Sequence, residues 1–390
     1  MTLVLIVGSL VACGTTRRAS VEDVVRPAPV TQAQGDTPRA SGGLAGTPGT
    51  PSPQQIYRSR WAAATWRDVP GWQNDNLQDA WNAWLQNCER PGPLFAPLCK
   101  DVRQLMLGSD DDRRLWMMAH LQPYRVESLE GVADGLLTSY YEPLFEASAQ
   151  MRPGFEVPLY APPESLAEAR RSGRPWFSRQ EIESNPQARE ALRGREVAWL
   201  ADPIDALVLH IQGSGRVRLT NPDGSTRVAR LAFAASNEQP YQSVGRWLLD
   251  RGLIRDASWP GIKAWINSTQ QTNPRLVQEM LWSNPRYVFF REEVRQAVDA
   301  DLGPRGAQGV PLTAGRSIAV DKDSIPYGTP VWLSSTGPNG SLQRLVFAQD
   351  TGSAIVGAVR ADYFAGTGSD AGDFAGRMKQ PLRLWVLWPR

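Results

Sequence analysis

The chain has 390 residues, with 42 Lys+Arg against 40 Asp+Glu, 15 Trp and only two His. A net charge of +2 over that length offers no cationic stripe to follow a phosphate backbone, so nucleic acid is not an expected partner. His120 and His210 stand far apart with no Cys, Asp or Glu spaced around them as ligands, so neither a metal nor a cofactor is expected and chemistry falls to carboxylates, hydroxyls and amides.

The first element is an address. Residues 1–12, MTLVLIVGSLVA, form an apolar run too short to span a bilayer. Such a run ending in small residues reads as a signal peptide, and Leu10-Val11-Ala12-Cys13 resembles the lipobox of bacterial lipoproteins. That resemblance implies lipidation at Cys13. Gly14, standing where an aspartate would retain the protein at the inner membrane, implies an outer-membrane lipoprotein facing the periplasm of a Gram-negative bacterium. No Lys or Arg precedes the run, which a start codon assigned too far downstream would explain; the competing reading is a frayed apolar terminus. Residues 14–55 hold six Gly, six Pro and no aromatic. Such a composition cannot offset its ordering entropy by burial, so 13–55 is expected to be a disordered tether.

The folded part begins with Asp75, placed to cap a helix in which Leu77, Trp81, Trp84 and Leu85 recur at helical spacing and should be core. Cys88 and Cys99, in an exported chain, either close a disulfide or remain two buried thiols. A second helical pattern covers about 100–122. From about 134 to 232 the β-like runs 136–141, 156–160, 206–211 and 217–219 alternate with turns such as Asn221-Pro222-Asp223-Gly224, and only 164–171 and 178–193 look helical. Helices return over 242–283, followed by the strand-like runs 287–290, 317–320, 331–333, 342–348 and 384–387. This order predicts one domain from 56–142 and 242–390, with 143–241 inserted as a second and a ligand groove between them.

The densest chemistry lies in 311–388. Asp321, Asp350 and Asp362 each follow a short apolar or small-residue run and precede Gly-rich sequence. They either converge on one site or are ordinary turn residues. Cleaving a glycosidic bond would need one carboxyl with a raised pKa near a second carboxylate or an apolar wall. A serine hydrolase built on Ser214 is disfavoured: Gln212-Gly213-Ser214-Gly215 is no nucleophile elbow, and His210 sits inside an apolar run.

Residues 312–321, the Ile325-Pro326-Tyr327-Gly328-Thr329 turn, 350–355 and Arg360-Ala361-Asp362 together resemble the three-aspartate domain of the membrane-bound lytic murein transglycosylase A family. Thr138-Ser139-Tyr140-Tyr141-Glu142-Pro143, the Gln212-Gly213-Ser214-Gly215 segment and Asn284-Pro285-Arg286-Tyr287 resemble further motifs of that family in the same order. The resemblance implies a mainly β fold with flanking helices: a double-psi β-barrel, an inserted smaller β-barrel, and a groove that binds peptidoglycan glycan strands. It implies a lyase, a peptidoglycan lytic exotransglycosylase that cleaves between N-acetylmuramic acid and N-acetylglucosamine without water and leaves 1,6-anhydro ends. Asp362 would act as acid and then base, and Asp350 would support it and raise its pKa. Thr138, Tyr140, Gln212, Gly213, Ser214, Asn237 and Asp321 would bind the glycan. A monomer is expected, anchored to the outer membrane and open to recruitment by other cell-wall enzymes. The competing reading is a non-catalytic peptidoglycan-binding lipoprotein with an expansin-like barrel. The chain departs from the family pattern at Ser139, Ser353, Ser236 and Gln239, where the family has Gly, a different small residue, Lys and His.

Overall fold

A computed structural model describes residues 58–293, 302–337 and 340–390; Cys13, the signal segment and the tether lie outside the described residues. Strand β1 (Arg60–Ala63) leads to helix α1 (Leu77–Asn87). Asn76, not Asp75, caps α1, its side chain accepting from Gln78 N at 3.1 Å. Asp75 is buried and accepts from Arg316 Nη1 at 2.7 Å and Leu345 N at 2.8 Å. A buried carboxylate needs that cation more than a helix needs a second capping side chain. The tryptophan stripe of α1 faces inward, with Trp81 and Trp84 buried against Phe347 and Trp332. Cys88, just past α1, is disulfide-bonded to Cys99.

The helical pattern of 100–122 is two helices, α2 (Cys99–Gln104) and α3 (Asp110–His120). Gly108 separates them and Ser109 restarts the helix through a capping box with Asp112. Strands β2 (Leu121–Glu127), β3 (Gly135–Glu142), β4 (Leu144–Ser148) and β5 (Val157–Tyr160) follow, then α4 (Glu164–Arg171). The 178–193 pattern is broken by Asn185-Pro186 into α5 (Arg179–Ser184) and α6 (Pro186–Leu192), ahead of β6 (Glu196–Leu200). The run 206–211 is not a strand but the heart of helix α7 (Pro203–Gln212). Asp202 caps it, Pro203 occupies its first turn and Gly213 ends it at φ +78°. Those start and stop signals outweigh the β-like look of a wholly buried apolar run.

The rest of the chain forms β7 (Gly215–Thr220), β8 (Thr226–Ser236), α8 (Val244–Asp250), α9 (Trp259–Thr269), α10 (Pro274–Trp282), β9 (Val288–Glu293), β10 (Ser317–Val320), β11 (Pro330–Gly337), β12 (Gly340–Asp350), β13 (Arg360–Thr367), α11 (Ser369–Arg377) and β14 (Lys379–Pro389). One sheet runs β1-β2-β14-β11-β12-β10-β13-β3, and the further pairing of β14 with β3 closes it into a barrel. The second sheet runs β5-β6-β4-β7-β8-β9, and α7 contributes Ala206 and Leu209 to its core. The fold is thus mainly β, two barrel-like sheets with flanking helices.

The expected limits of the insert, 143–241, are too narrow. Strand β9 pairs with β8, not with the barrel strands. Helices α8, α9 and α10 pack Val244, Ile262 and Met280 against Ile204 and Leu207 of α7. The second body therefore runs to 293, because a long-range strand pairing decides its edge and no local pattern announces one. Glu142 pins the two sheets together. It is fully buried at the end of β3 and accepts from Arg216 at 2.8 Å, Arg230 at 2.6 Å and Thr367 at 2.9 Å.

Candidate active site

The site is a row of side chains across the barrel sheet. Ala319 of β10 is the register partner of Asp362 on β13 and of Asp350 on β12, and Asp362 is in turn the partner of Thr138 on β3. Register partners project to the same face, so both carboxylates stand on one side of the sheet, separated by the small Ala319. Two strand spacings put their Cα atoms about 10 Å apart. The β10–β12 pairing shifts by one residue between Ile318 and Ala319, and without that irregularity Asp350 would point to the other face.

Asp362 sits within β13, not at a strand end. Thr138 Oγ1 donates to its Oδ1, and that hydroxyl in turn accepts from Arg360 Nη2 at 2.8 Å. Burial pushes the Asp362 pKa above the ordinary carboxylate value, against the Thr138 hydrogen bond and the Arg360 charge. The largest cause of that rise is desolvation rather than the second carboxylate. Asp350 is likewise raised, chiefly by burial and in smaller part by the Asp362 charge. Asp350 is richly solvated by the protein. Its Oδ1 accepts from Ala307 N at 2.9 Å and its Oδ2 from Tyr140 OH at 2.9 Å. Tyr140 also packs on Phe364, ring centroids 5.3 Å apart.

Gln212 ends α7 and its Oε1 accepts from Tyr141 N of β3 at 3.2 Å, which docks the inserted body on the barrel beside the row. A cavity of about 190 Å³ lies there, lined among others by Ser139, Gln212, Tyr241 and Trp259. Gly213 and Ser214 continue from Gln212, both partly exposed, and a Cβ on Gly213 would meet open space. Its glycine answers to the left-handed φ of a helix end rather than to a crowded approach. Tyr241 was not expected in the site. Its hydroxyl is pushed up by burial, against a hydrogen bond with Ser243, and in smaller part by the Asp362 charge. Its signal in sequence was only its place in a motif.

Two expected glycan ligands are elsewhere. Asn237 is fully buried and donates through Nδ2 to Phe177 O at 2.8 Å and Pro285 O at 2.9 Å, while its Oδ1 accepts from Tyr287 N at 2.8 Å. All its hydrogen-bonding capacity is spent on backbone, so it staples chain to chain. Glu238 after it has φ +58°, a left-handed conformation that favours glycine. Asp321 is likewise buried, accepting from Gly357 N at 2.9 Å, Asp323 N at 3.1 Å and Arg58 at 3.4 Å. It ties the loop after β10 and does not join the other two aspartates. Among the described residues no group of three His, Cys, Asp or Glu could hold a metal ion, and no helix is long and apolar enough to cross a membrane.

Residues 136–291 match the family model described as the MltA specific insert domain, and 316–388 match the 3D domain. A solved lytic transglycosylase, LtgG, of Burkholderia pseudomallei is 44% identical over 86% of this chain and 97% of its own, with a TM-score of 0.58. An MltA structure from Neisseria gonorrhoeae is 28% identical over 85% of this chain and 93% of its own, with a TM-score of 0.68. The membrane-bound lytic murein transglycosylase A of Vibrio cholerae is 29% identical over 78% of each chain.

Proposed function

The chain belongs to the membrane-bound lytic murein transglycosylase A family and is a peptidoglycan-cleaving lyase, and from that premise we propose the residues and steps by which it works. One observation carries the assignment: Asp362 and Asp350 face the same way across Ala319 with unequal surroundings. Both oxygens of Asp350 already accept hydrogen bonds, which favours its charged form. Burial raises both carboxyls, but Asp362 has only one oxygen taken, by Thr138, which leaves Oδ2 to carry a proton. Two carboxyls with different environments divide into acid and stabiliser.

Asp362 donates its proton to the glycosidic oxygen as the bond from the muramoyl C1 to that oxygen breaks. The oxocarbenium-like centre that develops is stabilised by the negative charge of Asp350 and by carbonyl dipoles. The muramoyl C6 hydroxyl then attacks C1 and returns its proton to Asp362, so the acid is regenerated and no water is consumed. The nucleophile belongs to the substrate and is held at high effective concentration, so a second catalytic base is not needed. Gln212, Gly213 and Ser214, with Tyr140 and Tyr241, border the glycan path. Cys13 carries the lipid in this reading, placing a monomer at the outer membrane facing the periplasm.

The test incubates the purified full-length chain with peptidoglycan sacculi and weighs the products. Muropeptides ending in 1,6-anhydro-muramic acid are expected. Reducing ends would replace this route by hydrolysis, and no release would leave a glycan-binding module.

A further inference from the structure

A cavity of about 330 Å³ opens in the inserted body, lined by Tyr160, Arg179, Ile182, His210, Leu281 and Tyr287 among others. It shares no residue with the aspartate row, and its volume lies at the lower end of the range for small-molecule sites. Its polar wall is unusual. Arg179 is buried and donates to Asn284 O at 3.1 Å, Arg286 O at 2.8 Å and His210 Nδ1 at 3.0 Å, never to a carboxylate. A guanidinium only donates, so Nδ1 of His210 must accept and the proton of the neutral imidazole sits on Nε2. Burial and the neighbouring guanidinium keep the His210 pKa well below its usual value and the ring neutral. That Nε2–H is enclosed and has no partner within the protein. Native structures rarely leave such a donor unmet.

A buried guanidinium with no carboxylate among its hydrogen-bond acceptors, its charge felt by Glu183 only at longer range, thus adjoins an N–H without an acceptor, and one group completes both. The other walls are apolar or aromatic, through Pro158, Tyr160, Ile182 and Leu281. Glu156, Glu183 and Arg189 also border the space, so with Arg179 the wall carries two charges of each sign, which suits an occupant with one carboxylate and one amino group. We propose that this cavity binds the carboxylate of a small amino acid or dipeptide, its carboxyl oxygens taking the Arg179 and His210 N–H groups and its short side chains resting on Pro158, Tyr160, Ile182 and Leu281. Such a carboxylate can come from wall peptides, which contain D-residues, or from ordinary L-peptides.

Binding is measured on the full-length chain and does not depend on turnover at Asp362. The probes are D-alanyl-D-alanine, L-alanyl-L-alanine and the C-terminal amide of each. At saturation at least one dipeptide should raise the melting midpoint by about 2 °C or more, while its amide should not, and the stereoisomer that binds names the source. In 15N spectra the same dipeptide should move the His210 Nε2–H resonance. Ala206 is buried in the cavity wall, and Ala206→Leu should fill the space and abolish the response. If that variant does not melt cooperatively, His210→Phe, which keeps an aromatic ring but removes both the Nε2 donor and the Nδ1 acceptor of Arg179, should do the same. No response to either dipeptide, an equal response to the amide, or a response that survives in the folded variant overturns the proposal.

Discussion

Asp362→Asn keeps the volume of the side chain and an acceptor for Thr138 while removing the proton on which both steps depend. A positioned acid or base contributes about 10²–10⁴ in rate. Asp362 serves in each role in turn, so turnover on sacculi should fall by about 10³ or more, with glycan binding changed less than tenfold. The same substitution should stabilise the fold. Burial raises the Asp362 pKa above 3.8. Between its unfolded and folded values the native chain holds a proton that the unfolded chain has lost, so stability falls as pH rises through that window and stays lower above it. Each unit of elevation costs about 1.4 kcal/mol. Asparagine never ionises, so the variant should melt above the parent at about pH 8, and the difference should close in acid, where the parent carboxyl is neutral in both states. Calorimetry across that pH range and mass spectrometry of released muropeptides read the two effects separately. A variant that keeps more than a tenth of the turnover, or that melts no higher than the parent at about pH 8, would refute the assignment of a buried proton donor to this position.

Tyr140→Phe removes a donor from Asp350; a hydrogen bond to a charged group is worth about 1.5–3 kcal/mol, so turnover should fall about 10- to 100-fold. The acid limb of its pH–rate profile should also move to higher pH, and an unmoved limb would place Asp350 outside the chemistry. Asn237→Ala strands two carbonyls and an N–H and should cost about 2–4 kcal/mol in urea denaturation, with turnover per folded molecule unchanged. A loss of turnover without a loss of stability would return Asn237 to the glycan site. Glu142→Gln leaves Arg216 and Arg230 facing a neutral group at the joint between the sheets; a loss of about 3–5 kcal/mol is expected, measured by the same denaturation.

What was legible in the chain follows from the range of the forces involved. The tryptophan stripe of α1 repeats every three or four residues, and a helix that buries one face must show that period. Helix α7 was misread because it is buried on nearly every side, which erases the periodicity; its identity lay in Asp202, Pro203 and Gly213, single residues at its ends. The aspartates show the same division. Three Asp on Gly-rich segments are visible as letters, yet Asp321 is spent on its own loop while Asp350 and Asp362 flank Ala319 on one face, and nothing local separates the cases. Asn237 was taken for a ligand because polar residues in motifs suggest contact with substrate, whereas a buried amide that satisfies three backbone groups is equally intolerant of change.

The deciding quantity is register, set by pairings between strands far apart in sequence. Ala319 is the partner of Asp350 only after a one-residue shift in the β10–β12 ladder, and of Asp362 through an antiparallel neighbour. Its side chain is a single methyl, the smallest that can separate the two carboxylates on that face. With histidine scarce, the contrast in the row is between carboxyls: one stands beside a single hydroxyl and the other accepts from two donors. Environment, rather than residue type, does the differentiating, and that environment is assembled from strands β3, β10, β12 and β13 together.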